Sequence, residues 1–312
     1  MMERSPEEGS EDAKMRFLYY PGCSLKGTGR AYEESLLAVF EALGVALEEL
    51  PDWNCCGATS YMSVDEGMAF AVAARNLARA EQMADGAPYV DVVAPCSACF
   101  MVLTKTRMCL EGSSPAARRV LAAMKTAGLS YRGRVRVRHP LDVLLNDVGV
   151  DAVAAAVRRP LGDLACACYY GCQAVRPYET FDSAHRPESM DRLLRAAGAQ
   201  VVDWPLKTRC CGGSLTGTVP PVGARLSTLL LQEAGRRGAR VVATCCPLCQ
   251  FNLECCTRPQ EGAAIPVVFF TQLLGLAFGL PERRIGLQRL LVPLSPACAA
   301  ESPGGGRHVS VR

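Results

Sequence analysis

The sequence predicts an α/β protein built from two similar halves, each a succession of β-α-β units with a largely parallel sheet. Two observations predict it: a cysteine pattern that recurs half a chain apart, and the same order of β-rich and helical segments around each copy. In order, "RFLYYPGC" (Arg16 to Cys23) pairs with "CACYYGC" (Cys166 to Cys172), each a short β-rich run ending at Gly-Cys. A helix follows: "RAYEESLLAVFEALG", with Leu36, Leu37, Phe40 and Leu43 at helical spacing, answers to "PESMDRLLRAAG". Gly44 and Gly198 stand where helices commonly end. Second strands, "VALEEL" and "AQVVDWP", lead into Cys-Cys-Gly loops. Helices over about 66–84 and 222–237 come next, then third strands, "YVDVVAP" and "ARVVATC", each delivering a Cys-x-x-Cys. At the ends, "RHPLDVLLNDVG" resembles "FFTQLLGLAFG". Strands alternating with helices of this length indicate parallel pairing.

The totals agree with two domains. The chain has 312 residues, and one domain takes roughly 100 to 200. The expected division is 15–150 and 151–294, with disordered tails at 1–14 and 295–312; the second tail carries "PGGG". A formal charge of +3 is too small to suggest a nucleic-acid partner. The polar, acidic start lacks the basic and apolar regions of a secretory signal. The most apolar stretch, Pro266 to Leu280, is interrupted by Thr271 and Gln272 and is shorter than the roughly 20 residues of a membrane span. A cytoplasmic protein with no direct membrane span is expected.

Seventeen cysteines dominate the chemistry. An odd number of thiols in a reducing compartment argues for metal binding or redox work rather than a disulfide framework. Ten of them form matched sets: Cys23, Cys55, Cys56, Cys96 and Cys99, against Cys172, Cys210, Cys211, Cys246 and Cys249, at offsets of 149, 155 and 150 residues. In parallel α/β folds the loops after successive strands share one edge of the sheet, so each five can converge. Glycines beside Cys23, Cys56, Cys172 and Cys211 let backbone approach a bulky group. Helices starting near Ser97 and Pro247 favour thiolate charge. Structural zinc and a cubane iron-sulfur cluster each take four ligands, so five thiols suggest a larger or less symmetrical cofactor, with Cys55 and Cys56 reaching different metals. Iron and zinc are not distinguished by this pattern.

The two copies, including "YPGCSLKGTGRAYEES", "WNCCGAT" and "TCCPLC", resemble the CCG domains of the heterodisulfide reductase B subunit over roughly Met15 to Leu280. The resemblance implies two similar Rossmann-like CCG domains with metal sites at the carboxyl ends of parallel strands. It further implies two noncubane 4Fe-4S clusters, each held by one five-cysteine set, at which a disulfide substrate is split and reduced. No ferredoxin-type cysteine run is present, so the family's arrangement implies partners: its small, ferredoxin-like C subunit, wired to its flavin-bearing A subunit. The substrate would be a small disulfide or a protein-bound sulfur, handled in either direction. Alternatives remain: an electron-relay subunit of a lactate- or fumarate-linked CCG complex, or a zinc-bound interaction protein, with zinc at one site alone a further case.

Other residues carry less. Cys166 and Cys168 alternate along a strand and read as buried apolar residues. Cys109, Cys255 and Cys256 fall on helices after each Cys-x-x-Cys, and Cys298 falls in the tail. Cys245 stands where the first copy has Pro95, which makes Cys246 the ligand by spacing. "GCSLKGTG" lacks the Lys-Ser/Thr of a phosphate loop. Lys26, Arg30, Lys207 and Arg209 lie near the cysteines in sequence and could attract an anionic substrate, though solvated charges are the simpler reading. His139 matches Phe270 or Thr271 of the other copy, which suggests a satisfied structural histidine rather than shared catalytic duty.

Overall fold

In the computed structural model, which describes residues 15–84, 86–162, 164–255 and 265–294, the first half opens with strand β1 (Met15–Tyr19). A short turn of helix, α1 (Gly22–Leu25), leads into α2 (Arg30–Ala42), which buries Leu36, Val39 and Phe40 at helical spacing. Strand β2 (Val45–Glu49) is followed by the Cys-Cys-Gly loop, α3 (Ser60–Val64) and α4 (Glu66–Gln82). The Asp65 carboxylate caps α4 by accepting from the Met68 amide at 2.9 Å. Then come β3 (Val90–Val93), α5 (Ser97–Glu111), α6 (Pro115–Thr126), β4 (Val135–Arg138), α7 (Pro140–Val143) with a π-helical turn over Leu144–Val148, and α8 (Val150–Ala155).

The second half repeats the plan with β5 (Ala165–Tyr169), α9 (Ser189–Ala196), β6 (Gln200–Val201), α10 (Leu215–Thr218) and α11 (Pro220–Arg236). It closes with β7 (Val241–Thr244), α12 (Pro247–Cys255), β8 (Val267–Phe269), α13 (Phe270–Ala277) and a 3-10 turn over Leu287–Arg289. Each half is a four-stranded, all-parallel sheet, in the orders β2-β1-β3-β4 and β6-β5-β7-β8. Helices cover both faces, so central strands such as β7 (VVAT) are buried at every residue. The strand order reverses direction between β1 and β3, and again between β5 and β7, which opens a crevice at the carboxyl edge of each sheet.

The fourth strands, β4 and β8, were not separately anticipated; they set the register of the repeat. Val93 pairs with Arg138 and Thr244 with Phe269. With Cys96 equivalent to Cys246, His139 therefore matches Phe269 rather than Phe270 or Thr271, and each residue is the N-cap of the helix that follows. The expected tails at 1–14 and 295–312, and Cys256 and Cys298 with them, lie outside the described residues.

The halves cross over. α2 packs on α13 of the second half, while α9 packs on α7 and the π-helical turn of the first. The Tyr32 ring stacks on Phe269 at 4.5 Å with the planes 3° apart, and Ser35 Oγ meets Thr271 Oγ1 at 2.6 Å. At the rim, Arg289 grips Glu34 through two hydrogen bonds of 2.8 and 2.7 Å. The apolar run from Pro266 is consumed in this packing as β8 and α13, with Gln272 accepting from the Phe269 amide and donating to the Ile285 carbonyl. Among the described residues no helix is long and apolar enough to cross a membrane.

Candidate metal centre

Each sheet delivers its five thiols from the loops after its first three strands, all at the carboxyl edge. In the first half Cys23 and Cys55 are exposed while Cys56, Cys96 and Cys99 are buried. In the second, Cys210 is exposed, Cys172 half-buried, and Cys211, Cys246 and Cys249 buried. The buried partners touch: Cys56 Sγ lies 3.2 Å from Cys99 Sγ, and Cys211 Sγ 3.6 Å from Cys249 Sγ. The Gly57 and Gly212 amides donate to Cys55 Sγ and Cys210 Sγ at 3.5 and 3.4 Å. Asn252, one turn along α12 from Cys249, adds a donor to Cys211 Sγ at 3.3 Å.

Two glycines are required by position. Gly22 and Gly171 adopt φ of +66° and +67°, and a Cβ there would meet Cys99 Sγ at 3.0 Å and Cys249 Sγ at 2.9 Å. Both the conformation and the close approach exclude a larger residue.

The electrostatics follow from thiols crowded on thiols. Cys55 and then Cys99 hold the Cys56 thiol down to about 4, and Cys55 itself is raised in exchange. Cys172 and Cys211 hold Cys210 down to about 2, while Cys210 pushes Cys211 up to about 11. Cys246 is held well below its ordinary value by Cys249 and by Cys96 of the other half. In each set the crowding thus favours the thiolate at one cysteine, the form that binds metal.

Among the described residues no three Cys, His, Asp or Glu side chains close on one point as a single-ion site. Five soft donors per set, with an adjacent Cys-Cys pair and glycine at the points of closest approach, fit a group with several metals. All five thiols of the second set line one cavity, and in the first set Cys56 and Cys99 are in contact. The spare thiols take other places: Cys166 and Cys168 are buried within β5, Cys109 lies on α5 and Cys255 ends α12. Cys245 is buried beside Ser97, 3.8 Å from its Oγ, across the boundary between the halves.

Three of the four basic residues are paired with carboxylates, and the fourth, Arg209, adjoins Cys210 in the chain. Lys26 Nζ is 2.6 Å from Glu33 and 2.7 Å from Glu49, Arg30 pairs with Glu34, Lys207 pairs with the buried Asp191, and Arg209 is exposed. His139 is fully buried; its Nδ1 accepts from the Leu141 amide at 3.2 Å, but its Nε2 has no partner, so it is only half satisfied.

Sequence reasoning missed two tyrosines. Tyr20 and Tyr169 occupy the same place in the repeat and donate to the carbonyls of Asn54 and Arg209, the residues before each Cys-Cys, at 2.7 and 2.6 Å. Burial first, and then four thiols of its own half, push the Tyr20 hydroxyl up, and the same holds for Tyr169. The signal was a tyrosine three residues before the first cysteine in both copies.

A cavity of about 350 Å³ opens at the second set and is lined by all five of its cysteines. Thr59, Met62 and Ser63, just after the first half's Cys-Cys-Gly, and Ser97 and Met101 of α5 close it from the other side.

Fold and centre together define a class: tandem α/β domains, each presenting five cysteines at the carboxyl edge of a parallel sheet. The cysteine-rich CCG domain matches this chain twice, over residues 17–104 and 166–254, and the chain belongs to that family. It is similar to the 8-methylmenaquinol:fumarate reductase membrane anchor subunit of Wolinella succinogenes, 31% identical over 88% of this chain and 96% of that protein. It is also similar to the B subunit of the ferredoxin/F(420)H(2)-dependent CoB-CoM heterodisulfide reductase of Methanosarcina acetivorans, 26% identical over 86% of this chain and 91% of that one. A heterodisulfide reductase B-subunit-like protein of Archaeoglobus profundus is 27% identical over 88% and 94%. Among solved structures, a hypothetical protein from Helicobacter pylori shares the fold with a TM-score of 0.69 at 12% identity; the match covers 93% of this chain and 55% of that longer one.

Proposed function

We propose that this chain is the catalytic iron-sulfur subunit of a heterodisulfide-reductase-type complex, reducing or forming a disulfide between two noncubane 4Fe-4S clusters. The observation that carries the reading is that both five-thiol sets are complete and that the cavity lined by the second set is walled by residues of both halves. A disulfide has two sulfurs, and a site with two metal-holding sets can meet each of them. Cys23, Cys55, Cys56, Cys96 and Cys99 would hold one cluster, and Cys172, Cys210, Cys211, Cys246 and Cys249 the other. A bound cluster supplies single electrons beside the sulfur being reduced. Reduction breaks one S–S bond and takes up two electrons and two protons to give two thiols.

The protein's own part is to hold and shield. Gly22 and Gly171 keep backbone out of the way, Tyr20 and Tyr169 pin the Cys-Cys loops, and burial of Cys96, Cys99, Cys246 and Cys249 keeps water from the inner thiols. Exposed Cys23, Cys55 and Cys210 leave an edge of each set open to an electron donor. In this reading the donor is a ferredoxin-like subunit wired to a flavin-bearing one, and the complex works in the cytoplasm.

A second reading is favoured by the Wolinella relative: an electron-relay subunit of a fumarate-linked complex, with no disulfide chemistry of its own. Iron and acid-labile sulfide analysis of anaerobically purified protein tests the cofactor. About eight irons per chain are expected, and zinc at both sites without labile sulfide would sink the proposal. Cys56→Ser and Cys211→Ser should each remove about half of the iron. Oxidation of the reduced protein by small disulfides, against none by fumarate-linked acceptors, separates the two readings.

A further inference from the structure

The two thiol sets are alike in most respects. Each buries three of its five thiols, and each receives a glycine amide, from Gly57 or Gly212, at the first cysteine of its Cys-Cys pair. They part at a buried position. Asn252, on α12 one turn past Cys249, is fully buried, and its Nδ2 donates to Cys211 Sγ at 3.3 Å and to the Gly213 carbonyl at 2.9 Å. Its Oδ1 accepts from Thr216 Oγ1 at 2.9 Å. A carbonyl can only accept, so the Gly213 carbonyl fixes which end of the amide faces it, and the second N–H is left for the sulfur. In the first half the same place, one turn past Cys99 on α5, is held by Val102, equally buried and with no donor to offer Cys56.

We propose that Asn252 is a positioning residue for Cys211 that raises the reduction potential of the group held by the second set, so that an electron entering the protein settles there before it reaches the first. The proposal rests on the reading that each set holds an iron-sulfur group, and not on the disulfide chemistry. Taking up one electron from a donor breaks no bond and adds one negative charge, part of which falls on the cysteine sulfurs. An N–H aimed at one of those sulfurs stabilises the reduced form more than the oxidised one, and hydrogen bonds to the sulfurs are among the levers that set such potentials. Burial strengthens the effect, because no water competes for the sulfur. The Arg209 charge beside Cys210, where the first half has the neutral Asn54 beside Cys55, acts in the same direction but is exposed and screened. The order of filling is thereby set by a side chain that the repeat does not preserve.

The test is a reductive titration of the anaerobically purified holoprotein with dithionite, followed by visible absorbance and electron paramagnetic resonance, on wild type and on Asn252→Val, which copies the first half. Thr216 Oγ1 also lies 3.0 Å from the Gly213 carbonyl, so the valine leaves that hydroxyl and that carbonyl paired with each other. Wild type should reduce in two steps. Asn252→Val should make the upper step about tenfold harder, about 59 mV for one electron, with the lower step unmoved. Should the valine variant fail to load iron, the reciprocal Val102→Asn, which offers Cys56 the amide, should raise the lower step; no rise overturns the proposal. A single coincident step in wild type overturns the ordering whatever the variants do. Both steps unmoved in Asn252→Val, or the lower one moved instead, overturns the role of Asn252 and leaves the iron-sulfur reading standing. Zinc in place of iron, with no reducible absorbance, overturns both.

Discussion

The Tyr20 hydroxyl donates to the Asn54 carbonyl at 2.7 Å, and so ties the end of β1 to the residue that precedes Cys55 and Cys56. The same carbonyl also accepts from Asn76 Nδ2 at 3.0 Å, while Asn76 Oδ1 accepts from the Asn54 amide at 2.9 Å. Tyr20→Phe therefore leaves the carbonyl satisfied and should cost about 1 kcal/mol, the net worth of one hydrogen bond. Asn76→Leu strips two bonds from the loop and strands the Asn54 amide, so about 2 to 3 kcal/mol is expected. Urea unfolding of the two variants checks the order; equal losses would show that the Asn76 pair adds no more to the loop than the Tyr20 hydroxyl.

Lys207 was a candidate for drawing in an anionic substrate, yet its ammonium neutralises Asp191, whose side chain is 1% exposed. Asp191 is otherwise held by the Tyr170 hydroxyl at 2.7 Å and, at 3.9 Å, by Arg195. Lys207→Met leaves that carboxylate buried without its close cation and should cost about 3 kcal/mol. Adding Asp191→Asn should restore most of the loss, because the neutral amide needs no cation. Thermal unfolding of the single and double variants measures both effects. An unchanged stability with weakened ligand binding would return Lys207 to the substrate.

Tyr32 gives a prediction of the opposite sign. Its ring stacks on Phe269 across the two halves, but its hydroxyl is fully buried without a hydrogen-bond partner. Tyr32→Phe keeps the stack and removes an unpaid desolvation penalty, so stability should rise by about 1 kcal/mol. Tyr32→Ala should lose about 3 to 5 kcal/mol through the cavity it opens. Melting temperatures on either side of wild type would establish that the ring, and not the hydroxyl, joins the halves.

What the sequence disclosed follows from locality. The strand, helix and Cys-x-x-Cys order is written in short-range patterns, so both copies could be aligned and Cys246 separated from Cys245 by spacing. What it hid is long-range. Nothing local says that α2 packs on α13 of the other half, that Lys26 turns to Glu33 and Glu49, or that Tyr20 reaches a carbonyl 34 residues on. His139 was matched a residue or two late because β4 and β8 are only four and three residues long. Helix α6 did carry a local sign, Ser114 before Pro115, where the serine caps the Ala117 amide at 3.0 Å.

His139 supplies a pH dependence. Its ring is fully buried, parallel to Phe181 at 5.4 Å and edge-on to Phe100 at 5.4 Å. Burial lowers its pKa to about 4, against the smaller opposing pull of Cys246 and Asp142. The unfolded chain takes up the proton near 6.5. Between those values the unfolded state binds more protons than the folded one, so stability falls as the solution is acidified. The contribution is intact above pH ~7, begins to fall near pH ~6.5, and is gone by pH ~4, a loss of about 3 kcal/mol. His139→Phe copies the residue that the second half places at Phe269 and removes the titrating group. The difference in unfolding free energy between wild type and variant should therefore change across pH 4 to 6.5 with a slope approaching one proton and stay flat above it. A difference independent of pH would mean that His139 keeps its charge in the folded protein.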